Sequence, residues 1–80
     1  MKITVYGPGC DKCQKLYKAA REAVQQVGVE AEVEKVEKVA DIAEAGVTFT
    51  PALAIDGQVK SMGKVLSVRQ IAGWIEAARA

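Results

Sequence analysis

Lys2-Ile3-Thr4-Val5-Tyr6-Gly7-Pro8-Gly9-Cys10-Asp11-Lys12-Cys13 is the stretch that decides the fold. Its first five residues alternate, with Ile3 and Val5 on one side, and so read as a β-strand. Gly7-Pro8-Gly9 breaks the strand, and a helix begins near Asp11. From there apolar residues fall at Cys13, Leu16, Tyr17, Ala20, Ala23, Val24 and Val27, the spacing of one helical face. Lys12, Gln14, Lys15, Lys18, Arg21, Glu22 and Gln25 take the opposite face, and Gly28 stands where a helix C′ glycine belongs. The segment is a strand, a glycine-rich break and an amphipathic helix, with a Cys-x-x-Cys pair at the joint.

The rest of the chain continues the alternation of strand and helix. Val29, Ala31 and Val33 alternate with Glu30, Glu32 and Glu34, which predicts a half-buried strand with an acidic outer face. Residues 36–45 carry Val39, Ile42 and Ala43 at helical spacing and stop at Gly46, so a short second helix is expected. Residues 47–51 are extended, because Pro51 disfavours the helical region for Thr50. Residues 52–55 and 58–62 form a hairpin around Asp56-Gly57, a type I′ turn signal. The last helix opens on a capping box, Ser67 with Gln70, and Leu66 is placed to staple onto Ile71. Val68, Ile71, Ala72, Ile75 and Ala78 supply its buried stripe. The order is βαβαββα, an α/β domain whose short mixed sheet has helices on both faces.

Composition narrows the function. Eighty residues make one domain, spanning 1–80. Half are hydrophobic and 26% charged, which is globular usage, and no apolar run approaches the ~20 residues of a membrane span. The N-terminal residues are too short and too alternating for a signal peptide, so a cytoplasmic location is expected. A formal net charge of +1 gives no global attraction to nucleic acid or anionic lipid, so neither is expected as a partner, and a monomer is expected. Histidine is absent, which excludes Ser-His-Asp triads, Cys-His dyads and histidine-ligated zinc.

Cys10 and Cys13 are the only cysteines, and a disulfide between them closes too short a loop to act as a structural staple. In a reducing compartment a Cys-x-x-Cys pair is redox-active or metal-binding, and two thiolates alone do not complete a zinc site. Cys10 falls at the helix N-terminus, where unpaired N–H groups and the macrodipole favour an anion. Its pKa is expected below the free value of ~8.5. Cys13 begins the buried stripe and is expected to titrate higher, since burial disfavours a second charge beside the first. An accessible nucleophile and a shielded second thiol are what disulfide exchange requires.

With these features in place the chain resembles the thioredoxin superfamily. Val5-Tyr6-Gly7-Pro8-Gly9-Cys10 is similar to the approach to a glutaredoxin active site. Thr50-Pro51-Ala52-Leu53-Ala54-Ile55-Asp56-Gly57, with Gly63-Lys64-Val65-Leu66-Ser67, resembles the small redox-active disulfide proteins of that superfamily. The resemblance covers nearly the whole chain. It implies a minimal thioredoxin-like fold with sheet order 2-1-3-4, the third strand antiparallel to the first, and the first and last helices on one sheet face. It implies a thiol–disulfide oxidoreductase or small dithiol electron carrier, with Cys10 the attacking thiol and Cys13 the resolving thiol. Pro51 would be a cis proline facing the disulfide, and the backbone of Thr50 would pair with a substrate chain. The implied partners are a disulfide-containing protein and a reductase, with no cofactor beyond the redox-active Cys10–Cys13 disulfide and no metal. Two departures carry consequences. Thr4 stands where thioredoxins have a buried acid, so proton transfer at Cys13 needs water or another group. Gly7 stands where glutaredoxins commonly have a glutathione-contacting lysine, which argues against glutathione as donor.

The alternative from another class is a soft-metal module using the same two thiolates for Cu(I). Copper-chaperone-like domains run βαββαβ and end on a strand, and their usual methionine two residues before the first cysteine is Pro8 here. The helical stretch around Ile42 and the capped final helix favour the redox reading.

Overall fold

A strand that finds apolar cover on both faces belongs in the middle of a sheet, and β1 (Lys2–Tyr6) is that strand. In a computed structural model that describes residues 1–9 and 11–79, it is followed by α1 (Asp11–Val27), β2 (Glu32–Val36), α2 (Val39–Glu44), β3 (Ala52–Ile55), β4 (Gln58–Met62) and α3 (Val68–Arg79). The four strands form one sheet in the order β2-β1-β3-β4. β1 and β2 are parallel, as the intervening α1 crossover requires. β3 runs antiparallel to both β1 and β4. The expected order, strand directions and fold class are all present, and the last described element is a helix, unlike the copper-chaperone pattern. No described helix is long and apolar enough to cross a membrane.

Strand alternation divides the core in two. Ile3, Val5, Leu53 and Ile55 face Leu16, Ala20 and Ala23 of α1 and Ile71 and Ile75 of α3, so the first and last helices share one sheet face. On the other face Ala52 packs with Ile42 of α2 and with Val47, flanked by Tyr6, Val36 and Val59. Trp74 lies against the larger cluster as a packing residue.

Two boundaries differ from the sequence reading. The alternation predicts the second strand over residues 29–34, and the paired segment is Glu32–Val36. Val29, Ala31 and Val33 do pack against the core, so their alternation reflects real burial. The ladder is set by the partner: Lys2 pairs with Glu32 and Tyr6 with Val36. Val36, expected at the start of a helix, is therefore strand, and the second helix shrinks to Val39–Glu44. The acidic side of β2 is also less open than expected. Glu34 is half-buried, with Lys2 Nζ 3.3 Å from its carboxylate and the Thr4 hydroxyl donating to it at 3.5 Å.

The local signals hold at both ends of the second half. Asp56 (φ 50°) and Gly57 (φ 83°) both take positive φ, as a type I′ turn demands. Asp56 also ties the turn to β1, its amide donating to the Lys2 carbonyl at 2.7 Å and its carboxylate accepting the Lys2 amide at 2.8 Å. At α3 the capping box is complete: the Gln70 amide donates to Ser67 Oγ at 3.2 Å and the Ser67 amide to Gln70 Oε1 at 3.1 Å. Leu66 and Ile71 meet in the same cluster. Ser67→Ala is expected to lower stability by about 1 kcal/mol, read as a shift in the urea midpoint at unchanged slope. A midpoint that does not move would mean that the box contributes nothing.

Candidate active site

The site is built where β1 gives way to α1. β1 ends at Tyr6, and the Gly7 amide donates to the Val36 carbonyl at 2.9 Å, which holds the loop against the end of β2. Gln14 Nε2 donates to the Gly9 carbonyl at 3.3 Å, tying the same loop to α1. Cys13 sits in the first turn of α1, is 5% exposed, and is disulfide-bonded. It opens the buried stripe that continues through Leu16, Ala20 and Ala23, as the periodicity predicts. The expectations for Cys10, as exposed nucleophile with a lowered pKa, fall on a residue outside those described.

Gly7 is the residue that makes room for the Cys13 sulfur. A Cβ placed on Gly7 would overlap Cys13 Sγ and lie 2.9 Å from Cys13 Cβ. Gly7 is buried, so the sulfur lies directly against backbone. In the sequence Gly7 stands out as part of the Gly7-Pro8-Gly9 break and for the lysine it replaces, and neither signals its contact with Cys13.

The Thr50–Pro51 bond is cis. Pro51 is fully buried and Thr50 is exposed. The β1–β3 ladder ends on the Tyr6–Ala52 pair, so Gly7, the residue against which Cys13 packs, and Pro51 are the next residues beyond it on the two strands. Segments far apart in sequence thus meet at one end of the sheet. The Gly63 amide donates to the Pro51 carbonyl at 2.8 Å and fastens this loop to the end of β4. Beside it Phe49 is 67% and Met62 41% exposed, and the Thr48 hydroxyl lies 3.8 Å from Met62 Sδ. Nothing in the sequence singles out Phe49 or Met62; a lone phenylalanine before Thr50-Pro51 carries no periodic signal of its exposure.

Behind the sulfur is a cavity of about 10 Å³ whose described lining includes Val5, Gly7, Gly9, Cys13, Lys35 and Glu37. Lys35 projects from β2 over the ring of Tyr17, with Nζ 4.4 Å from the ring centroid. Glu37, just past the end of β2, brings Oε2 to 3.0 Å from where a Cβ on Gly9 would lie. Thr4, the residue at the acid's position, lies on the opposite sheet face from Val5 and bonds Glu34 instead. The larger surface hollows, about 360 Å³ beside Tyr17 and Arg21 and about 550 Å³ beside the Asp56–Gly57 turn, have no cysteine in their described lining. No group of three or more potential metal ligands occurs among the described residues.

Comparison with known proteins agrees with this geometry. Residues 1–76 match the thioredoxin domain family. Over 71 residues, covering 89% of this chain and 92% of the relative, the sequence is 52% identical to a thioredoxin of Methanothermobacter thermautotrophicus. Over 69 residues, covering 86% of this chain and 79% of the relative, it is 41% identical to a thioredoxin of Methanocaldococcus jannaschii. Both alignments run through most of each chain, so what they share is the domain and not a single motif. The chain belongs to the thioredoxin family.

Proposed function

We propose that the protein is a thiol–disulfide oxidoreductase, a small dithiol carrier that passes two electrons from a reductase to disulfide-containing protein partners. Cys10 attacks the substrate disulfide, and Cys13 resolves the resulting mixed disulfide. The observation that carries this reading is the placement of the disulfide-bonded Cys13 against Gly7, with the Thr50–Pro51 loop at the same end of the sheet. A buried resolving sulfur and an exposed Thr50 at the same end of the sheet suit an extended substrate chain, whose main chain would pair with Thr50. Exposed Phe49 and Met62 supply apolar contact on the same side, which favours a polypeptide over a small charged thiol. The cytoplasm is the proposed location.

The test is a redox titration of the Cys10–Cys13 pair against defined dithiol buffers, followed by a comparison of thioredoxin-reductase-type and glutathione donors. A reversible two-electron transition and faster reduction by the protein reductase are expected. A pair that cannot be cycled, together with tight Cu(I) binding, would overturn the proposal in favour of metal transfer.

A further inference from the structure

Resting on that reading of Cys13 as the resolving thiol, we infer that Glu37 is the base that accepts the Cys13 proton, across the small cavity they share, when the mixed disulfide is resolved. A thiol is a poor nucleophile, and a buried one is held in its neutral form, so resolution needs a place for the proton. Cys13 is buried, and the carboxylate in the described lining of its cavity is that of Glu37. The cavity, at about 10 Å³, is close to the smallest that accommodates one water molecule, and Cys13 and Glu37 both line it, so the proposed transfer runs through a single solvent molecule held there. Glu37 is exposed on its outer side, so a proton it receives passes on to bulk water.

The backbone is arranged for this approach. The Gly7–Val36 hydrogen bond places residue 37 alongside the Gly7–Gly9 loop. Both ends of that loop are glycine: the missing side chain at Gly7 admits the Cys13 sulfur, and Glu37 Oε2 comes to 3.0 Å from where a Cβ on Gly9 would lie. Glu37 makes no hydrogen bond or ion pair with another described residue, which leaves its carboxylate available. Among the described residues, the other charged group on the cavity is Lys35 from β2, whose Nζ lies over the ring of Tyr17 of α1, and Asp11 and Lys12 stand in the exposed first turn of α1, the turn that carries Cys13. β1 contributes only Val5 to the described lining.

The step balances. Cys10 Sγ is joined to a substrate sulfur, and Cys13 gives its proton to Glu37. Cys13 Sγ then attacks Cys10 Sγ, the Cys10–Cys13 bond forms, and the bond to the substrate breaks. The substrate sulfur leaves with the electron pair and is protonated from solvent. The cysteine pair loses two electrons, and the substrate disulfide gains them.

A fixed charge and a base predict opposite results. If Glu37 acted only as a nearby negative charge, its neutralisation would favour the Cys13 thiolate and speed resolution. As a base, its loss slows resolution. The reduced protein is mixed with the aromatic disulfide 5,5′-dithiobis(2-nitrobenzoate), and the two coloured thiol releases are followed by stopped flow. The first release reports capture by Cys10, and the second reports resolution by Cys13. Glu37→Gln is expected to leave the first phase unchanged and slow the second roughly 100-fold at neutral pH. The gap should close at high pH, where Cys13 ionises unaided, and Glu37→Asp should recover part of the rate. A second phase that is unchanged or faster in Glu37→Gln, or equal slowing of both phases, overturns the assignment. A wild-type protein with no second phase would instead overturn the proposed function itself.

Discussion

Cys13→Ser is expected to capture one disulfide substrate and then stop, accumulating a mixed disulfide through Cys10. Resolution is intramolecular, and well-placed intramolecular attack has effective molarities of roughly 10⁵ M and above, far beyond any external thiol. Turnover in a coupled reductase assay should therefore fall by roughly three orders of magnitude or more. Cys10→Ser should lose capture as well, because the remaining sulfur is buried and 5% exposed. Mass spectrometry after exposure to a disulfide-bonded protein separates the two: an adduct on Cys13→Ser and none on Cys10→Ser. The reverse pattern would mean that Cys13 is the attacking sulfur and that its burial does not govern its role.

Gly7→Ala is expected to be the most damaging single-methyl change in the molecule. The new Cβ would overlap Cys13 Sγ, and neither partner is free to retreat. Gly7 is held by its bond to the Val36 carbonyl, and Cys13 sits on a helix whose next turns are packed in the core. Overpacking of this kind costs about 1–3 kcal/mol, a fall in Tm of roughly 5–20 °C for a domain this small. The disulfide should also form more slowly, because the sulfur must move to make room. Gly73→Ala is the matched control. Gly73 lies inside α3, is exposed, and a Cβ there meets nothing within 4 Å. There the same methyl group should raise stability by about 0.5–1 kcal/mol, because alanine loses less conformational entropy in a helix. Thermal unfolding of the two variants tests both signs. A Gly7→Ala protein as stable as the wild type would show that the Cys13 sulfur relocates freely.

The fates of individual residues show what the chain makes legible. Helix α1 is readable because its burial repeats at one period over 17 residues. The Asp56-Gly57 turn and the Ser67–Gln70 box are readable because their geometry is closed within a few residues. The start of β2 is not, because strand ends are set by the partner, and Lys2 is where β1 begins. Glu37 is legible only as one acid among several, since its approach to Gly9 joins distant segments and depends on where β2 stops.

By itself, the sequence determined the order of strands and helices, the capped and hinged ends of those elements, and the pair of thiols at a helix start. All of these are local, written in spacings shorter than one element. Tertiary structure decided the packing at this end of the sheet: Gly7 against the Cys13 sulfur, Lys35 and Glu37 on the cavity that Cys13 lines, and Pro51, which the resemblance had pointed to, just beyond the Tyr6–Ala52 pair. These groups come from the end of β1, the approach to β3 and the end of β2. Strand pairing over long separations brings them together, and no periodicity within a single segment encodes it.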